Sequence, residues 1–149
     1  MTDTFSIGNQ DTVPTICGTN SGEHVYYDAA DDCNNLNFQF GSTLLGQDAK
    51  ASRQFDIKIS QISCESELLA PTGCTQYFTG AGPAHVKTFN FDGGRHLANQ
   101  DQTICVRRAN GYCTLCWVAE AATDVQVTGD APSMGVLDVR YFKVSVSCI

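Results

Sequence analysis

Asn34-Asn35-Leu36-Asn37-Phe38-Gln39-Phe40 is the stretch that decides the fold class. Leu36, Phe38 and Phe40 fall at every second position, with Asn and Gln between them. Successive side chains of an extended chain point to opposite faces, so this alternation predicts a strand with one face turned inward. Gln54-Phe55-Asp56-Ile57-Lys58-Ile59-Ser60 repeats the pattern, with Phe55, Ile57 and Ile59 predicted inward and Asp56 and Lys58 outward. The phase slips at Gln61-Ile62, which reads as a bulge or a strand end.

Outward from these two stretches, further strands are predicted at His24–Asp28, Thr75–Thr79, His85–Phe91, Gln102–Arg108, Gly111–Ala119, Asp124–Thr128 and Val136–Ser147. The last changes phase near Tyr141-Phe142, so it bends or splits. Turn-forming clusters separate the runs: Gly18-Thr19-Asn20-Ser21-Gly22, Gly80-Ala81-Gly82-Pro83, Asp92-Gly93-Gly94, Ala109-Asn110-Gly111 and Gly129-Asp130-Ala131-Pro132. Many short strands with regular turns predict an all-β sandwich or jelly roll. Only Leu44–Ser52 has room for a short helical turn. The 149 residues fit one domain, 1–149, in which 1–15 are an N-terminal extension, either flexible or used as an interaction arm.

Eight cysteines, Cys17, Cys33, Cys64, Cys74, Cys105, Cys113, Cys116 and Cys148, are dense for a chain this long. An even count at this density reads as structural disulfides formed in an oxidising compartment, hence a secreted, extracellular protein. Eight cysteines allow about 105 connectivities. Strand logic favours Cys105 with Cys113 across a hairpin turning at Ala109-Asn110-Gly111, and Cys64 with Cys74 across a short loop. Cys17 with Cys33 and Cys116 with Cys148 complete the set. The rival reading of Cys113-Thr114-Leu115-Cys116 as a redox or zinc motif lacks the helix N-terminus and the second ligand pair that those sites need. Met1–Phe5 has neither the basic start nor the apolar run of a secretory leader, so the extracellular reading takes the sequence as a mature form. No stretch approaches the ~20 apolar residues of a membrane span.

The net charge is −7, with nine Lys and Arg residues scattered along the chain. Phosphate-backbone binding needs clustered cations, so nucleic acid is not an expected partner. Glu23 with Asp28, Asp31 and Asp32 is the candidate calcium set, since calcium takes several loop oxygens. The alternative is a solvated acidic loop. No other cofactor is expected. Arg107-Arg108 is the only dense basic pair and the candidate contact for a partner's carboxylate; the alternative is two solvent-facing ends of an edge strand. His24, His85 and His96 lie in separate segments at no metal-binding spacing. Ser21 lacks the Gly-X-Ser-X-Gly elbow of a nucleophile, and Trp117 in an alternating strand is expected in the core. No catalytic constellation is present, and the protein is expected not to be an enzyme.

Ile16-Cys17-Gly18-Thr19-Asn20-Ser21-Gly22-Glu23-His24, Gln76-Tyr77-Phe78-Thr79-Gly80, Thr88-Phe89-Asn90-Phe91 and His96–Arg108 resemble a divergent CUB-domain family of secreted arthropod proteins. Cys17-Gly18 looks like the family's domain-opening pair, Asn90-Phe91 its strand-ending Asn plus aromatic, and Ile104-Cys105-Val106 its Cys-X-hydrophobic strand. The resemblance runs from about Pro14 to Trp117; the family's later Asp-aromatic pair and closing Cys-Gly have no counterpart here. It implies a jelly-roll sandwich of two antiparallel sheets and, for many members, calcium held by a Glu and two Asp residues. It also implies an extracellular module for protein–protein recognition or adhesion. The alternatives are a structural subunit of an extracellular filament or matrix, joined through copies of itself, and a calcium- or ligand-binding regulatory domain of a larger protein such as a protease.

Overall fold

The computed structural model describes residues 3–8, 13–31, 33–41, 53–93, 97 and 100–119, and the backbone of 142–147. The strands among them are β1 (Thr4–Ile7), β2 (Leu36–Gln39), β3 (Gln76–Phe78), β4 (Ala84–Val86), β5 (Ile104–Val106), β6 (Thr114–Val118) and β7 (Phe142–Ser147). Phe91–Gly93 forms a 3-10 turn. The fold is all-β, as the alternation predicts.

The strands make three small sheets: β1 with β2, β3 with β5, and β4-β7-β6. The first pair is antiparallel and sets Phe5 opposite Phe38, with ring centroids 5.0 Å apart. A bridge from Phe5 to Ile16 covers the other edge of β1 through two backbone hydrogen bonds of 2.8 and 2.9 Å. Thr4–Ile7, within the expected N-terminal extension, is therefore part of a sheet. The third sheet is also antiparallel, with β7 between β4 and β6.

The middle pair corrects the expectation of antiparallel sheets throughout. β3 and β5 run parallel, with Gln76, Tyr77 and Phe78 beside Ile104, Cys105 and Val106. Parallel neighbours need a long crossover, and residues 79–103, which include β4, supply it. Cys74 and Cys105 form a disulfide across the head of this pair, with Cα atoms 5.7 Å apart. That bridge overturns the pairings Cys105–Cys113 and Cys64–Cys74. The turn at Ala109–Tyr112 does form, closed by a Tyr112 N–H to Ala109 C=O bond of 3.2 Å. The strands on either side of it then join different sheets, so Cys113 is not opposite Cys105. Cys17, Cys64, Cys113 and Cys116 carry no disulfide, and Cys148 lies outside the described residues.

The core sits around β3 and β4. Val13, Ile16, Cys74, Tyr77, Val86 and Phe89 are its buried apolar members, joined by buried Thr75, Gln76 and Asn90. Two apolar expectations fail. Phe55, Ile57 and Ile59 are exposed, and residues 53–62 form no strand. Alternation marks a face, yet a strand forms only where a neighbour accepts its backbone bonds. Trp117, expected in the core, is 44% exposed on β6. Smaller differences concern strand limits. His24–Asp28 forms no strand, although the Tyr26 N–H donates to Thr75 C=O at 2.8 Å. The predicted His85–Phe91 strand stops at Val86, because the chain turns at Thr88–Phe91 with a bond of 3.2 Å. Leu44–Ser52 and Asp124–Thr128 lie outside the described residues.

Candidate functional site

The loop Cys17–Glu23 is built by an interlock with Asn90. Asn90 is buried and holds a left-handed backbone conformation, φ 60°. Its side-chain oxygen accepts the Thr19 N–H at 2.8 Å, and its own backbone N–H donates to Asn20 Oδ1 at 2.7 Å. Asn20 Nδ2 closes the loop onto Cys17 C=O at 3.0 Å. Gly18, at φ 81°, leaves the space that the Asn90 amide occupies; a Cβ there would collide with it. Asn tolerates the left-handed region better than other side chains do, and glycine enters it without steric cost.

The interlock presents Ser21, Gly22, Glu23 and His24 to one side of an open cleft of about 440 Å³. Phe78 of β3, His85 of β4 and Lys87 complete its lining. A continuous polar chain runs beneath. Gln102 Nε2 donates to Gln76 Oε1 at 2.9 Å, and Gln76 Nε2 donates to Glu23 Oε2 at 2.8 Å. Glu23 Oε1 pairs with Lys87 Nζ at 3.2 Å, and Lys87 Nζ also reaches Asp92 Oδ2 at 2.7 Å. Gln76 is wholly buried, so its amide is committed at both ends and orients the Glu23 carboxylate. The Asp92 hydrogen bond, with Glu23 adding to it, raises the Lys87 ammonium above its ordinary range against the opposing cost of burial.

His24 packs edge-on against Phe78, centroids 4.9 Å apart, and its Nε2 accepts the Tyr77 N–H at 3.3 Å. The sequence separates His24 from His85; the fold brings both to one cleft. No spacing signal could reveal this, because the two residues are distant in sequence and only the fold sets the Ser21–His24 loop near β4. His96 lies outside the described residues.

The other candidates are dispersed. Glu23 is engaged by Gln76 and Lys87, whereas Asp28 and Asp31 are exposed, and Asp32 lies outside the described residues. No group of three or more His, Cys, Asp or Glu gathers at metal-binding distance among the described residues. Arg107 is spoken for. Its guanidinium donates to Glu67 C=O at 2.7 Å and reaches Glu67 Oε2 at 3.3 Å, tying the loop around Ser66 to β5. Arg108 is exposed and borders a second, smaller cleft of about 240 Å³ with Asn110, Tyr112 and Cys113. Among the described residues it makes no ion pair. Both neighbouring arginines are exposed, and they differ in that Arg107 is paired with Glu67.

The fold is an all-β one with a disulfide clasp, an Asn-locked Cys-Gly loop and open polar clefts. Within it, residues 71–143, just under half of the chain, match the family model described as the animal CUB domain. That match supports a CUB-domain family for the chain. CUB domains are generally extracellular, non-catalytic modules of protein interaction. No curated protein and no solved structure matches the chain. No helix among the described residues is long and apolar enough to cross a membrane.

Proposed function

We propose that the protein is a secreted module for protein–protein recognition or adhesion in the extracellular space and performs no catalysis. The observation that carries this reading is the animal CUB match over 71–143, which spans β3, β4, β5, β6 and the start of β7. The Cys74–Cys105 disulfide agrees with an oxidising compartment. On this reading Arg108, just before the turn between β5 and β6, is a contact for a partner's carboxylate. Its fork of donors suits bidentate recognition, and Arg107 beside it is held by Glu67. The calcium reading is not favoured, because the described members of its set do not converge.

The test is a binding measurement with the intact protein immobilised against extracellular proteins of its source. Partners are identified by mass spectrometry and confirmed with purified protein. Arg108→Glu is expected to weaken a confirmed partner by about tenfold or more, in line with truncated or reversed interface charges. Unchanged affinity removes Arg108 from the interface. Absence of any specific extracellular partner defeats the recognition reading.

A further inference from the structure

Gln54–Ser60 has what a strand needs except a neighbour. Its apolar residues sit at every second position, and Phe55, Ile57 and Ile59 are 58%, 43% and 71% exposed. Among the described residues, none from Gln54 to Ile62 makes a backbone hydrogen bond. The start of the segment is nonetheless fixed. Arg53 Nε pairs with Asp3 Oδ2 at 2.6 Å, and the Arg53 guanidinium lies over Phe40, 5.7 Å from the ring centroid. The Phe55 ring stacks on Phe38 at 4.5 Å. An anchored segment with strand-like alternation, whose backbone groups make no backbone hydrogen bond among the described residues, is a template for pairing with another strand.

The residues of the segment specify which strand. Two copies laid antiparallel about a two-fold axis at Ile57 set Ile57 against itself, Phe55 against Ile59 and Gln54 against Ser60. The same register sets each Asp56 against the Lys58 of the other copy. Apolar meets apolar, and both charge pairs are of opposite sign. Neighbouring registers that keep the apolar face are penalised: one opposes Asp56 to Asp56, the other Lys58 to Lys58. In-register parallel pairing opposes both like pairs at once. A self-complementary strand is what an isologous two-fold interface requires. We infer that Gln54–Ser60 joins two copies of this chain by antiparallel pairing centred on Ile57. This self-association does not depend on the recognition of any foreign partner.

Sedimentation velocity of the full chain over a concentration series tests it, with circular dichroism to check that each variant remains folded. The wild type is expected to form a dimer that dissociates on dilution. Asp56→Lys and Lys58→Asp should each weaken the dimer by about tenfold or more, since every cross-axis pair becomes a like-charge pair. An equimolar mixture of the two single variants should restore dimers, as should the double variant Asp56→Lys/Lys58→Asp. Ile57→Pro, at an exposed position, should abolish pairing without unfolding the chain. A wild type that stays monomeric throughout overturns the inference. So does a dimer indifferent to Ile57→Pro, or single variants whose mixture and double swap fail to recover pairing.

Discussion

Asn90 and Gly18 show how much one contact fixes. Each occupies the left-handed region, and each depends on the other, since the amide of Asn90 fills the space where a Gly18 side chain would begin. Gly18→Ala is expected to destabilise by at least about 2 kcal/mol, from backbone strain and overlap together. Asn90→Ala should cost about 1–3 kcal/mol, because the Thr19 N–H loses its acceptor on buried Asn90 and alanine resists the backbone conformation. Asn90→Gly separates the two, restoring the backbone and not the acceptor; urea denaturation of the three variants checks the ordering. Lys87 gives a pH signature. Its ammonium is held above the ordinary value of 10.5, so its stabilisation is complete below that pH and is lost as pH rises through the higher folded value. Lys87→Met should destabilise by about 1–3 kcal/mol near neutrality, leaving the half-buried Glu23 carboxylate without its cation. The gap between variant and wild type should narrow in melts above pH 10.5.

At the scale of elements, the sequence speaks clearly about which residues extend and poorly about what they pair with. Alternation locates β2, β3, β5 and β6 within a few residues, because period two is a local property of the extended backbone. Turn chemistry likewise places the bend at Ala109–Tyr112. Partner choice is not local. β5 lies beside β3 in parallel rather than folding back on the strand that follows it, and the disulfide moves with that choice. Gln54–Ser60 carries as strong an alternation as Leu36–Phe40 and finds no partner among the described residues. The site was legible in the same uneven way. Cys17-Gly18 and Asn90-Phe91 stand out as motifs, but their interlock belongs to the fold. Glu23 stands out as a carboxylate, while its Gln76–Lys87–Asp92 surroundings come from β3, the residue after β4 and the 3-10 turn, all distant in sequence. Arg107 and Arg108 are indistinguishable on paper and differ once Glu67 takes one of them.

For the molecule as a whole, the Cys74–Cys105 bridge spans a sequence separation of 31. Closing a loop of that size is expected to contribute about 3–4 kcal/mol by restricting the unfolded chain. The paired variant Cys74→Ser/Cys105→Ser should lower the urea midpoint accordingly, and thiol reductant should have the same effect on the wild type alone. With a net charge of −7, copies also repel one another at a distance, so the strand-paired dimer should tighten as salt is raised to physiological strength. Sedimentation at low and physiological ionic strength measures that change.

The covalent ring drawn by Cys74 and Cys105 contains β3, β4, Lys87 and Asn90. A protease that severs one peptide bond inside this ring produces no free fragment; both pieces stay tethered through sulfur. The cut is invisible on a non-reducing gel and shows only when the protein is run after reduction.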